Sequence, residues 1–233
     1  MLNISICDDD KSSVDKLAGL LEKYCQRNGL EYKPATFTKG SDLLESNLAE
    51  CDILFLDVDM GQENGIAIAH EIRKFNKEVI IIYVSGYVQY APSGYNVKAF
   101  AYILKNDLDD LFETTMDDVV KQLNYRGMMY KIKTEEEISL PVKDILYIES
   151  FDKVTDIHTT DSRYTVRQSL GDTAKQLADK GFVQIHKSYV VNMRHITKLK
   201  NYTVTLTDNT ALPAAQKRWR DIVQKYLEWR SNV

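Results

Sequence analysis

The stretch ILFLDVDMG, residues 53–61, constrains this chain more than any other. Four consecutive apolar residues with no alternation need apolar surroundings on both sides, as in the middle of a parallel sheet covered by helices. Asp57 ends the run abruptly, Asp59 follows two residues later, and Gly61 lets the chain turn. In open α/β sheets ligands bind beyond the carboxyl ends of the strands, so Asp57 falls where chemistry is done.

The flanking sequence repeats this plan. Residues 3–7 read as a strand ending in Asp8, Asp9 and Asp10, followed by helically spaced Val14, Leu17, Leu20 and Leu21 as far as Asn28 and Gly29, a helix stop. Residues 32–37 give a second strand, and Ser41 is expected to cap a short helix through Leu43, Leu44 and Leu48. Beyond Gly65 the spacing of Ile66, Ala69, Ile72 and Phe75 predicts a helix. Strands follow at 79–84, ending in Ser85, and at 99–104, ending in Lys105. An amphipathic helix turning Leu108, Leu111, Phe112, Val119, Val120 and Leu123 inward completes this half. Five strands alternating with helices make a parallel sheet covered on both faces.

The strand ends therefore deliver Asp8 and Asp9, Asp57, Ser85 and Lys105 to one edge. Clustered carboxylates either raise a pKa or hold a hard cation such as Mg²⁺, which prefers oxygen ligands. A carboxylate beside such an ion can attack phosphorus and become an aspartyl phosphate, whose oxygens a lysine ammonium and a hydroxyl would then contact. Taken singly, each residue has a plainer reading: a helix cap for Asp10, a turn residue for Ser85, a surface lysine for Lys105 and a core aromatic for Tyr102.

Near residues 124–127 the periodicity changes. Short alternating runs at 128–133, 138–142, 145–149, 154–158, 163–166, 183–185, 189–191 and 204–206 predict a mainly antiparallel β domain. A short helix is expected over 170–177 and a closing helix over 216–229, with Trp219, Ile222, Val223, Tyr226 and Leu227 inward. Charge divides at the same place: residues 1–124 hold 12 Lys and Arg against 21 Asp and Glu, net −9, and residues 125–233 hold 18 against 13, net +5. That asymmetry points to two domains with different partners, the second suited to a polyanion. Lys187, Arg194, Lys198, Lys200, Lys217, Arg218 and Arg220 would form its electrostatic footprint. The 3 cysteines, Cys7, Cys25 and Cys51, are unpaired in spacing and read as small buried hydrophobes. No apolar run is long enough to span a bilayer and no signal peptide is evident, so a cytoplasmic protein without membrane contact is expected.

ICDD at 6–9, FLDVDM at 55–60, VS at 84–85 and YILK at 102–105 resemble the receiver domain of two-component response regulators. The resemblance implies a flavodoxin-like fold with a five-stranded parallel sheet in the order 2-1-3-4-5. It implies Asp57 as phosphoacceptor, Asp8, Asp9, Asp57 and the backbone carbonyl of Asp59 as Mg²⁺ ligands, Ser85 and Lys105 as phosphate-contacting residues, and Tyr102 as the switch aromatic. Two positions where receivers carry proline hold Gly61 and Asn106. DILYIES at 144–150, FVQIHKSYVVNMRHI at 182–196 and VTLTDNTALPAAQKRW at 204–219 resemble the LytTR DNA-binding domain. That family implies loop contacts to DNA from Asp152, Lys153, Lys187, Gln216, Lys217 and Arg218. The segment commonly reads serine-arginine where this chain has Ala215 and Gln216. His186 reads as a structural or phosphate-side residue and Asn192 as one that bonds backbone rather than DNA.

The expected organisation is a receiver at 1–123, a linker at 124–128 and a DNA-binding domain at 129–233. The expected function is that of a transcriptional response regulator, not an enzyme, which accepts phosphate from a sensor histidine kinase and binds promoter DNA, as a homodimer when phosphorylated. The alternative is a haloacid-dehalogenase-like phosphotransferase using Asp57 and Asp59. Against it, the aspartate pair follows the third strand rather than the first.

Overall fold

The computed structural model describes residues 1–134, 136–151 and 154–231, without the side chains of 91 and 93–96. The chain forms two compact units, Met1–Val119 and Val120–Val233.

In the first unit, β1 (Leu2–Cys7), α1 (Lys11–Asn28), β2 (Tyr32–Phe37), α2 (Gly40–Glu45) and β3 (Ile53–Leu56) come in order. The two-residue strands β4 (Asp59–Met60) and β5 (Glu63–Asn64), then α3 (Gly65–Phe75), β6 (Ile80–Ser85), β7 (Ala101–Leu104) and α4 (Leu108–Gly127) follow, the last turns of α4 being counted with the second unit. The main sheet runs β2-β1-β3-β6-β7, all pairs parallel. With the β4-β5 hairpin set aside, this is the expected 2-1-3-4-5 order. All four residues of β3 and all six of β6 are buried, as unbroken apolar runs require when helices cover both faces. On one face Leu54, Leu56, Ile81 and Tyr83 share a core with Leu43, Ile68 and Ile72. Elsewhere Phe55 stacks on Phe112 of α4, with ring centroids 5.9 Å apart.

Local rules set the ends of α1. Asp10 accepts from the Ser12 and Ser13 backbone N–H groups at 3.0 and 3.3 Å, and Gly29 closes the helix with φ +62°. Ser41 does not cap α2; Lys39 stands at that position, and its side chain makes no capping bond. Phe75 and Leu111, expected inward, are exposed. Met116, absent from the expected stripe, is fully buried in α4.

The second unit contains β8 (Met129–Lys133), β9 (Glu137–Pro141), β10 (Ile145–Phe151), β11 (Val154–Thr159), β12 (Arg163–Val166), α5 (Leu170–Leu177), β13 (Phe182–His186) and β14 (Tyr189–Asn192). After these come β15 (Ile196–Lys200), β16 (Thr203–Leu206), β17 (Ala211–Pro213) and α6 (Trp219–Ser231). A five-stranded antiparallel sheet, β12-β11-β10-β14-β13, accompanies a three-stranded one, β15-β16-β17, and the β8-β9 hairpin. Ile222 of α6 is buried in a core with Val183, Ile185, Val204 and Leu206. Leu227 faces outward, not inward. Asn192 is completely buried, its amide donating to the Tyr125 hydroxyl and to the Val142 and Ile145 carbonyls.

Candidate functional site

Parallel register brings the strand ends together. Cys7 pairs with Leu56, Leu56 with Tyr83, and Ser85 with Leu104, so Asp8, Asp57, Ser85 and Lys105 emerge at one edge. Asp8, Asp57 and Ser85 are buried. Lys105 Nζ donates to Asp57 Oδ2 and lies equally close to Asp8 Oδ2, 2.7 Å in both cases. The other Asp57 oxygen accepts from the Val58 and Asp59 N–H groups at 2.6 and 3.3 Å. One carboxylate oxygen is thus fixed by backbone while its mate meets the Lys105 ammonium. Burial raises the Asp8 pKa, against the lowering by its bonds to Lys105 and the Asp10 N–H. Burial also works against the Lys105 charge, but the bonds to Asp57 and Asp8 outweigh it and hold the ammonium above its usual pKa.

Carboxylate oxygens of Asp8, Asp9 and Asp57 lie within 4.8 Å of one another, with Asp9 exposed. An all-oxygen donor set with one wet member fits a hard divalent cation that keeps some waters. Among the sulfurs, Cys7 Sγ is turned to Met60 Sδ at 3.6 Å. Ser85 is fully buried, its oxygen 3.5 Å from the Tyr87 N–H. Tyr102 is half-buried and its hydroxyl donates to the Tyr87 carbonyl; its ring lies 6.0 Å from Tyr83. The Tyr83 hydroxyl, completely buried, has no hydrogen-bond partner among the described residues.

Gly61 takes φ +68°, which the proline ring forbids. It opens a two-residue turn closed by the pair Met60–Glu63. Only the first turn position is left-handed, the type II′ pattern that glycine favours. Gly65 donates to the Val58 carbonyl at 2.9 Å, so the intervening pair Asp59–Asn64 is a non-hydrogen-bonded one and the Asp59 carbonyl stays outside the ladder. The second strand then caps two helices. Glu63 accepts from the Gly40 and Ser41 N–H groups of α2 at 2.6 and 2.9 Å, and Asn64 accepts from Ile66 and Ala67 of α3 at 2.8 and 3.2 Å. Sequence reasoning missed Glu63 because its partner lies 23 residues away; Asn64, directly before a helical pattern, carried a readable cap signal. Gly61→Pro is expected to destabilise the first unit by about 3 kcal/mol and Gly61→Ala by about 1 kcal/mol in urea melts. A proline variant as stable as the parent would show that the turn is not required.

In the second unit the described candidates Lys187, Gln216, Lys217 and Arg218 lie near one end of β13. Lys187 is exposed in the two-residue turn joining β13 and β14, whose Ser188 carbonyl accepts from the Ser150 N–H at 2.9 Å. Ala215 donates to the Ile185 carbonyl at 2.8 Å, tying the exposed 3-10 turn of Gln216, Lys217 and Arg218 to the same strand. Asp152 and Lys153 lie outside the described residues. His186 Nδ1 accepts from the Ser188 N–H at 3.2 Å. Arg194 leaves the expected basic footprint: its guanidinium stacks 3.9 Å over the buried Tyr125 ring and 5.8 Å from Trp229. Lys198 and Lys200 stand exposed on β15, an edge of its sheet.

Residues 4–116 match the family model of the response regulator receiver domain, and residues 135–226 match that of the LytTr DNA-binding domain. The chain belongs to the response regulators that join a receiver to a LytTr domain, a class of transcription regulators; the phosphotransferase alternative is set aside. Sensory transduction protein LytT of Bacillus subtilis (strain 168) is 28% identical to it, across 93% of this chain and 95% of the relative. Transcriptional regulatory protein LytR of Staphylococcus aureus (strain N315) is 29% identical, across 73% and 78%. The solved response regulatory domain of protein mrkE from Klebsiella pneumoniae aligns with 53% of this chain and 98% of its own, at 19% identity and a TM-score of 0.48. Among the described residues no helix is long and apolar enough to cross a membrane.

Proposed function

We propose that Asp57 accepts a phosphoryl group from a phosphohistidine of a sensor histidine kinase, and that the resulting charge controls promoter binding by the second unit. The observation that carries this reading is the Lys105 ammonium held 2.7 Å from both Asp57 and Asp8, beside the buried Ser85. The backbone-anchored Asp57 carboxylate offers Oδ2 as the nucleophile: an oxygen–phosphorus bond forms as the phosphorus–nitrogen bond to histidine breaks, leaving a neutral imidazole after protonation. Asp8, Asp9, Asp57 and the Asp59 carbonyl would hold Mg²⁺, which when bound offsets charge on the phosphoryl oxygens.

Phosphorylation replaces the single negative charge of the Asp57 carboxylate with a phosphoryl group carrying about −1.5 to −2. Lys105 then exchanges a carboxylate for phosphoryl oxygens, Ser85 donates its hydroxyl, and Tyr102 gives up the Tyr87 carbonyl as it turns inward. The receiver comprises residues 1–123, joined by 124–128 to a DNA-binding domain at 129–233. That domain contacts duplex DNA through Lys187, Gln216, Lys217 and Arg218 together with Asp152 and Lys153. Gln216 suits an adenine edge, and the cations suit phosphates. The phosphorylated protein acts in the cytoplasm, where its DNA is, as a homodimer and without catalytic turnover.

Acetyl phosphate with Mg²⁺ is expected to add one phosphoryl group, read by intact mass, and Asp57→Asn to abolish it. Retained labelling in that variant would overturn the assignment. Selection from a random duplex pool, with and without acetyl phosphate, tests the DNA half.

A further inference from the structure

Helix α6 buries Ile222 against its own core and presents a different face outward. On that face Trp219, Val223 and Leu227 recur every four residues and line a shallow groove of about 360 Å³. Leu227 is 55% exposed. Tyr202 extends the apolar strip, its ring 5.5 Å from that of Trp219. Tyr202 is itself held at φ +58°, a conformation that costs a bulky non-glycine residue of order 1 kcal/mol or more. That conformation is set by the two-residue β15–β16 turn, in which Asn201 and Tyr202 both take positive φ.

Beside the apolar strip runs a polar one, Arg220, Gln224 and Glu228, also at four-residue spacing. Its charges read plus, neutral, minus. Two copies of α6 laid antiparallel about a two-fold axis at the level of 223 and 224 place Arg220 of each beside Glu228 of the other. The same axis sets Trp219 against Leu227 and Val223 against its own counterpart, all to within about one residue's rise of 1.5 Å. A two-fold axis between antiparallel helices keeps the polar strips on the same side, so the two ion pairs form together. A second copy of this chain supplies that charge order and that apolar spacing in reverse, as a self-complementary two-fold interface requires.

We infer that the outer face of α6 is a self-association surface, on which a second copy of the chain docks antiparallel through Val223 and Leu227 and is aligned by reciprocal Arg220–Glu228 pairs. A single helix face falls below the roughly 1,200 Å² of a standard stable interface. The pairing is therefore weak in free solution and strengthens when two chains are held close. It involves neither Asp57 nor DNA, so it stands or falls separately from the phosphorylation reading.

Disulfide trapping of the full chain tests it. The native Cys7, Cys25 and Cys51 are buried, so a cysteine introduced on α6 is the accessible one. Gln224→Cys is expected to form a covalent dimer under mild oxidation about tenfold faster than Lys225→Cys on the neighbouring face, a ratio worth about 1.4 kcal/mol. Adding Arg220→Glu, which sets like charges against each other, is expected to remove most of that advantage; adding Glu228→Arg as well is expected to restore it. Equal rates for the two cysteine variants, or no recovery in the charge-swapped chain, would overturn the inference. Circular dichroism confirms that each variant is folded before its rate is compared.

Discussion

Gly65→Ala is expected to destabilise the first unit by about 3 kcal/mol or more, an overpacking cost at the upper end because the obstacle is backbone. A Cβ at this position would lie 1.9 Å from the Asp57 carbonyl oxygen and 3.0 Å from Val58 Cα. The strand end that carries the acceptor and the start of α3 touch through the hydrogen of a glycine. The alanine variant must push Asp57 away, and labelling by acetyl phosphate is expected to fall with it. A chemical melt followed by circular dichroism measures the first effect and intact mass the second. An alanine variant that melts and labels like the parent would rule out the close approach.

The second large effect is expected in the other unit. Asn192→Leu keeps the branched heavy-atom skeleton but removes three donated hydrogen bonds, leaving the Tyr125 hydroxyl and the Val142 and Ile145 carbonyls buried without that partner. The amide oxygen also accepts from the Arg194 N–H at 3.1 Å. Losing this network is expected to cost about 3–4 kcal/mol. Tyr125→Phe, which removes one of those bonds, is expected to cost about 1 kcal/mol. Both tryptophans of the chain, Trp219 and Trp229, lie on α6, so tryptophan fluorescence, excited selectively over tyrosine, reports the second unit. A leucine variant whose fluorescence melt matches the parent would show that Asn192 organises nothing.

Much of this was legible because the most informative segments are the most deeply buried. The runs 53–56 and 80–85 admit one environment, and the polar residues that terminate them converge because parallel strands start and stop in register. Asp10 and Gly29 were readable for a different reason: caps act within three or four residues of the helix they close. Contacts that cross the chain were not readable. Ser41 looked like a cap by identity, yet Glu63 satisfies that helix end from strand β5. The β4-β5 hairpin is too short to show a period. Leu111 and Leu227 continue apolar stripes that the neighbouring elements do not cover, and only packing reveals where such a stripe stops. The left-handed backbone at Gly61 explains physically why this receiver has no proline there, whereas the residue type alone suggested only looseness.

The two-residue strand Glu63–Asn64 has a further consequence in terms of amide exchange. Its side chains shield the N–H groups of Gly40, Ser41, Ile66 and Ala67, four amides in two helices. Exchange of their protons is slowed while these side-chain bonds hold and speeds up when the strand lifts. Those four amides form a built-in gauge of the acceptor loop: a population in which the loop opens is written into their deuterium uptake, whether or not Asp57 itself carries a signal.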